Sequence, residues 1–195
     1  DPRLPSVSAW KDPQRTFFRY LCRPSHWSDV IERSYGATLR EILPTREAAL
    51  AGLERMWSLD DSAARTLVHG DCHCGNLFYE PNGMPGFLDW QCVFPGAPAH
   101  DLAELIVTSL EPERRREAER DLIQLYYDVV KAEGVTDQPS VNELFHSYRC
   151  NNMHNLVGSV FNPYDMQTEE VTTISATRAL AAAQDLDTKK ALGLD

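Results

Sequence analysis

Three residues near the middle of this chain have the types and spacing for chemistry. Asp71 and Asn76 stand in the run His69-Gly70-Asp71-Cys72-His73-Cys74-Gly75-Asn76, and Asp89 stands in Phe87-Leu88-Asp89-Trp90. Phosphoryl transfer needs such a set: one carboxylate to orient a hydroxyl, and two oxygen ligands to hold magnesium against phosphates. In those roles Asp71 accepts or orients the proton of the attacking hydroxyl. Asn76 and Asp89 hold the Mg2+ that bridges nucleotide phosphates and neutralises developing charge.

The interval between Asp71 and Asn76 is five residues, the same as between the base and the magnesium-binding Asn of the protein-kinase catalytic loop. It lets the chain leave a strand, present a carboxylate, turn back and present an amide oxygen nearby. Gly70 and Gly75 are expected to supply the two bends. Val68, Leu77 and Leu88 are expected to anchor the flanks. His69 fits a structural role, fixing the loop through hydrogen bonds. His73 fits shaping of the loop or contact with substrate.

The elements that must position these residues follow from the pattern along the chain. Thr66 to Val68 reads as a short strand leading into the loop. Asn76–Tyr79 and Gly86–Leu88 read as a hairpin around the turn Pro81-Asn82-Gly83. Upstream, Arg15–Leu21 reads as a helix, Trp27–Leu43 as helix in pieces broken at Gly36 and Pro44, and Thr45 as the cap of a helix to about Leu59. Downstream, helices are expected over Ala99–Leu110, from Pro112 to Gly134, from Ser140 (a capping box with Glu143) to about Phe161, and over Thr168–Asp187. The fold class is therefore α+β and mostly helical, with a small β-hairpin carrying the loop. The strands are too few and too short for a doubly wound sheet.

The composition is that of a single globular domain spanning residues 1–195, with 43% hydrophobic and 25% charged residues. A net charge of −10 argues against a nucleic-acid partner. The triplet Arg114-Arg115-Arg116 lies among glutamates and reads as a solvated helix face. No apolar stretch reaches membrane-spanning length, so no membrane partner is expected. Five cysteines, an odd and irregularly spaced set, favour reduced thiols and a cytoplasmic location.

The pattern HGDCHCGN, then FLDW, then AHDLAEL over Ala99–Leu105 resembles the aminoglycoside phosphotransferase and choline kinase-like group of small-molecule kinases. The specific matching covers about residues 66–110. The resemblance implies a protein-kinase-like C-terminal lobe and an ATP-dependent (or GTP-dependent) phosphotransferase acting on a small-molecule alcohol, with Mg2+ as cofactor. It implies the catalytic base at Asp71, magnesium ligands at Asn76 and Asp89, and support of the catalytic loop by Asp101 from the start of the next helix. Trp90-Gln91 stands where a protein kinase has Phe-Gly. Eleven residues separate Asp89 from Asp101, which leaves no room for a long activation loop. Both points favour a small-molecule kinase over a protein kinase.

Cys72 and Cys74, on either side of His73, are a less usual choice for this loop. A larger departure lies upstream. The N-terminal nucleotide-binding lobe of such a kinase supplies a Gly-rich loop and a strand lysine. Nothing before Thr66 reads as that lobe, and Lys11 is the only lysine before Lys131. The expectation is that the N-terminal lobe is absent and that the chain alone is inactive as a fragment. An alternative is a catalytically inactive kinase-like binding or scaffold protein. Two further readings compete: zinc on Cys72, His73 and Cys74, whose direct succession hinders tetrahedral convergence, and a cysteine nucleophile with His69 or His73 as base. His26, His100, His146 and His154 read as isolated surface or packed histidines. Tyr148, Arg149, Asn152 and His154 are candidates for an acceptor pocket.

Overall fold

The computed structural model describes residues 11–194. Its helices are α1 (Lys11–Leu21), α2 (Pro24–Val30), α3 (Gly36–Ile42), α4 (Arg46–Ser62), α5 (Ala99–Ser109), α6 (Pro112–Ala132), α7 (Val141–Val160), α8 (Glu169–Asp185) and α9 (Thr188–Ala191). Four short strands lie between α4 and α5: β1 (Thr66–Val68), β2 (Leu77–Tyr79), β3 (Pro85–Phe87) and β4 (Phe94–Gly96). The chain is thus mostly helical with two small antiparallel sheets, β1–β4 and β2–β3.

Local chemistry sets the helix starts. Thr45 accepts the Ala48 N–H at the head of α4, and Ser140 and Glu143 form the reciprocal capping box of α7. Pro24 and Pro112 occupy first-turn positions, where a missing N–H costs nothing. Gly36 was expected to break a helix and instead opens one. A Cβ there would sit 2.0 Å from the Ile31 carbonyl oxygen, so only glycine lets the chain turn so tightly into α3.

Helix α7 is the axis of the molecule. It packs against α1, α4, α5, α6, α8 and α9. A helix enclosed on so many sides buries polar residues too, and Asn151, Asn152, His154 and Asn155 are all interior. One apolar cluster joins α1 to α4 with α7 and α8, around Leu39, Leu53, Met56, Leu156 and Phe161. A second joins α5 and α6 with α7 and α8, around Val107, Ile123 and Tyr148.

Two expectations change here. Arg114 and Arg116 are exposed, but Arg115 is 1% exposed and pairs with Glu119 and Asp185. The Tyr148 hydroxyl donates to the same Glu119 at 3.0 Å. A guanidinium buried with two carboxylates is tied to its partners, so the triplet is not a uniform solvated face. The four residues considered for an acceptor pocket are engaged in contacts within the helical core. Besides Tyr148, Asn152 donates to Thr188 at 3.2 Å, Arg149 donates to the Leu186 carbonyl at 2.6 Å, and the His154 ring stacks on Phe18 at 4.3 Å.

Candidate active site

Strand β1 delivers the chain to the loop. Val68 is fully buried and lies opposite Phe94 of β4, an unforeseen strand partner. Gly70 then takes φ +79°, and a Cβ on it would lie 2.3 Å from the Cys92 carbonyl oxygen. Both facts restrict the position to glycine. Gly75 is different: its φ is not left-handed, and it sits in a short 3₁₀ turn over Cys74–Asn76.

Helix α5 grips the loop from below. The Asp101 carboxylate accepts the backbone N–H of His69 at 2.6 Å and of Gly70 at 3.0 Å. One turn on, Glu104 accepts the N–H of Cys72 at 2.8 Å. From the other side Gln14 of α1 donates to the Gly70 carbonyl at 3.2 Å. Residues on both sides of Asp71 are therefore fixed, while the Asp71 side chain stays partly exposed.

Asn76 closes the loop. Its Nδ2 donates to the Asp71 carbonyl at 2.8 Å and to the Asp71 carboxylate at 3.1 Å. The amide nitrogen is thus committed to Asp71, and Oδ1 is the group left to accept. The Asn76 carbonyl accepts the Leu88 N–H at 2.8 Å, so the residue before Asp89 is tied to Asn76 itself. Asp89 is exposed and takes a left-handed conformation, φ 58° and ψ 56°, unusual for a residue with a Cβ. The two oxygen donors suit a hard cation such as magnesium.

The two histidines of the loop differ in their surroundings. His69 is buried, its Nε2 donates to the Leu88 carbonyl at 2.7 Å, and its ring packs against Trp90 at 4.7 Å. The histidine thereby links the loop to the segment that carries Asp89. His73 Nδ1 accepts the Gly75 N–H at 3.0 Å, and its Nε2 lies 3.7 Å from the Asp71 carboxylate. Of the three flanking anchors only Val68 is fully buried. Leu77 is half-buried and Leu88 is 52% exposed, because the Leu88 backbone, not its side chain, does the holding.

Cys72 and Cys92 are buried and do not present a reactive thiolate. Burial raises the Cys72 thiol above its ordinary range and pushes that of Cys92 up to about 11, so both remain protonated near neutral pH. Burial, with the Asp71 charge adding to it, also pushes the Glu104 carboxyl up to about 8. Glu104 was missed in the sequence, although its position one helical turn after Asp101 puts both on one face. Gln14 had no sequence signal.

The chain matches the phosphotransferase enzyme family over residues 2–136. It belongs to that family. The matched region takes in the whole Asp71 loop, Asp89 and α5, and ends just beyond α6. A curated relative of this phosphotransferase-family chain is the protein named "Uncharacterized oxidoreductase dhs-27" of Caenorhabditis elegans. It is 29% identical over 98 residues, covering 44% of this chain and 12% of that protein's length. No solved structure matches the chain. No helix among the described residues is long and apolar enough to cross a membrane.

Proposed function

We propose that this phosphotransferase moves the terminal phosphoryl group of ATP or GTP to the hydroxyl of a small-molecule alcohol. The hydroxyl oxygen forms the new O–P bond, and the bond from phosphorus to the nucleotide's bridging oxygen breaks. The acceptor's proton passes to the Asp71 carboxylate. Asp71 is the catalytic base, Asn76 Oδ1 and Asp89 are the magnesium ligands, and Asp101 and His69 are positioning residues. His73 helps to shape the loop beside the Asp71 carboxylate. Magnesium, when bound, neutralises charge on the transferring phosphates.

The observation that carries this is the fixing of the backbone on both sides of Asp71, by Asp101 and by Glu104, while its carboxylate remains accessible. Positioned groups of this kind supply most of the acceleration in phosphoryl transfer. Residues 1–195 would then be a C-terminal lobe that holds the magnesium and hydroxyl half of the cleft. Exposed Leu88, Trp90, Tyr79 and Met84 around the β2–β3 hairpin offer an apolar surface for a nucleotide-covering lobe. On this account the chain by itself shows little or no turnover.

The experiment is phosphoryl transfer by the 195-residue chain from Mg-ATP to a panel of amino alcohols and sugars, with Asp71→Ala in parallel. Background turnover is expected from both proteins. Turnover that Asp71→Ala abolishes would uphold the role of Asp71 and overturn the low activity of the chain alone.

A further inference from the structure

His100 and His154 read as isolated histidines in the sequence and Glu104 was missed there, yet the fold brings the three together. His100 and Glu104 stand four residues apart on one face of α5, and His154 faces them from α7. One ligand atom from each lies within 4.8 Å of the others. All three are more than nine-tenths buried, at 4%, 9% and 5% exposure. The two imidazole rings meet edge to face at 4.3 Å. Nε2 of His100 and Nδ1 of His154 are buried without any hydrogen-bond partner. A buried polar atom without a partner is costly, and two of them on the histidines of one buried cluster call for an occupant.

We propose that His100, Glu104 and His154 form an interior binding site for a divalent transition-metal ion of the zinc class. Two imidazoles and one carboxylate are the donor set of three-ligand zinc sites, which leave a fourth position for water. Nitrogen donors disfavour magnesium and calcium. Tetrahedral ligands about 2.1 Å from zinc are roughly 3.4 Å apart, so the cluster needs to contract by little more than a bond length. A cavity of about 20 Å³, bordered by His100, Asp60, Gln14 and Phe94, adjoins the His100 side of the cluster and has room for one water.

The site does not depend on the phosphotransferase chemistry, but it touches the same loop. Glu104, which would bind the ion, also accepts the Cys72 N–H next to Asp71. An ion here would fix α5 to α7 directly beneath the loop.

The test uses the 195-residue chain, stripped with a chelator and then titrated with Zn2+ or Co2+. We expect one ion per chain. The Co2+ form should give the visible spectrum of a four-coordinate nitrogen and oxygen site, with no thiolate charge-transfer band. Glu104→Gln keeps an oxygen for the Cys72 N–H and should weaken Zn2+ binding by at least about 100-fold, more than loss of an outer partner does. Cys74→Ser, on the one exposed thiol, should leave binding unchanged. Uptake well below one ion per chain, a thiolate band, or unchanged affinity in Glu104→Gln would overturn the proposal and leave a buried water as the occupant. Should Glu104→Gln fail to fold, the wild-type Co2+ spectrum still decides the ligand set.

Discussion

Asn76 holds Asp71 at two points, by its carbonyl at 2.8 Å and by its carboxylate at 3.1 Å, across a loop of five residues. The contact fixes one oxygen of the proposed base and, in the same stroke, orients the amide oxygen of the proposed metal ligand. The two halves of the site are therefore set by one side chain. Asn76→Asp should disturb both, since it places a second carboxylate where an amide donor stood. We expect lower stability at neutral pH than in Asn76→Ala, measured by denaturant unfolding of the two variants.

Asp101 supports the loop through backbone bonds rather than through substrate. Asp101→Ala removes the acceptor for the His69 and Gly70 N–H groups. Hydrogen bonds to charged groups are worth about 1.5–3 kcal/mol each, so the loss of two is expected to cost about 3–6 kcal/mol. Asp101→Asn retains one acceptor oxygen and should fall between. Thermal unfolding of the three proteins checks the order.

Asp71 is exposed enough that its removal should spare the fold. In any assay where turnover is measurable, Asp71→Asn should lower kcat by about 10²–10⁴-fold, the usual contribution of a general base. Its unfolding midpoint should match that of the wild type. A large loss of stability together with activity would assign Asp71 a structural role instead.

The two glycines of the loop separate cleanly. Gly70→Ala places a Cβ against the Cys92 carbonyl at a left-handed φ and should cost well over about 1 kcal/mol. Gly75→Ala meets only the His73 ring, which can swing away. Comparison of the two variants by chemical denaturation tests whether only the first bend demands glycine.

Glu104 gives the metal-free chain a pH dependence. Its carboxyl is pushed up to about 8 from an ordinary 4.5, so the folded chain keeps a proton that the unfolded chain has released. Stability should therefore fall as pH rises from about 4.5 to about 8. The groups around it are Asp71, Asp101, His100 and His154. With chelator present, Glu104→Gln should flatten that slope in a pH series of unfolding midpoints. An equal slope in both proteins would place the dependence elsewhere.

Much of this was legible in the sequence because it is local. Asp71 and Asn76 are near neighbours, the β2–β3 hairpin follows from its turn residues, and the capping box of α7 lies within four residues. The clamp by Asp101 came from resemblance alone, since no local rule sends an N-terminal helix residue to a loop 32 positions earlier. The grouping of His100, Glu104 and His154 was out of reach for the same reason: α5 and α7 meet only in the folded chain. Burial of Arg115 was masked by exposed arginines on both sides. Pairing of β1 with β4 was hidden because Phe94-Pro95-Gly96 lacks any strand pattern.

The central claim is that Asn76 and Asp89 hold the catalytic metal beside Asp71. Paramagnetic relaxation by Mn2+ tests it most directly, in the 195-residue chain preloaded with Zn2+ to occupy the interior site. The account predicts selective broadening of the backbone amides of residues 71–77 and 88–90, abolished when Asn76→Ala and Asp89→Ala are combined. Broadening that persists in the double variant, or that centres elsewhere, would contradict it.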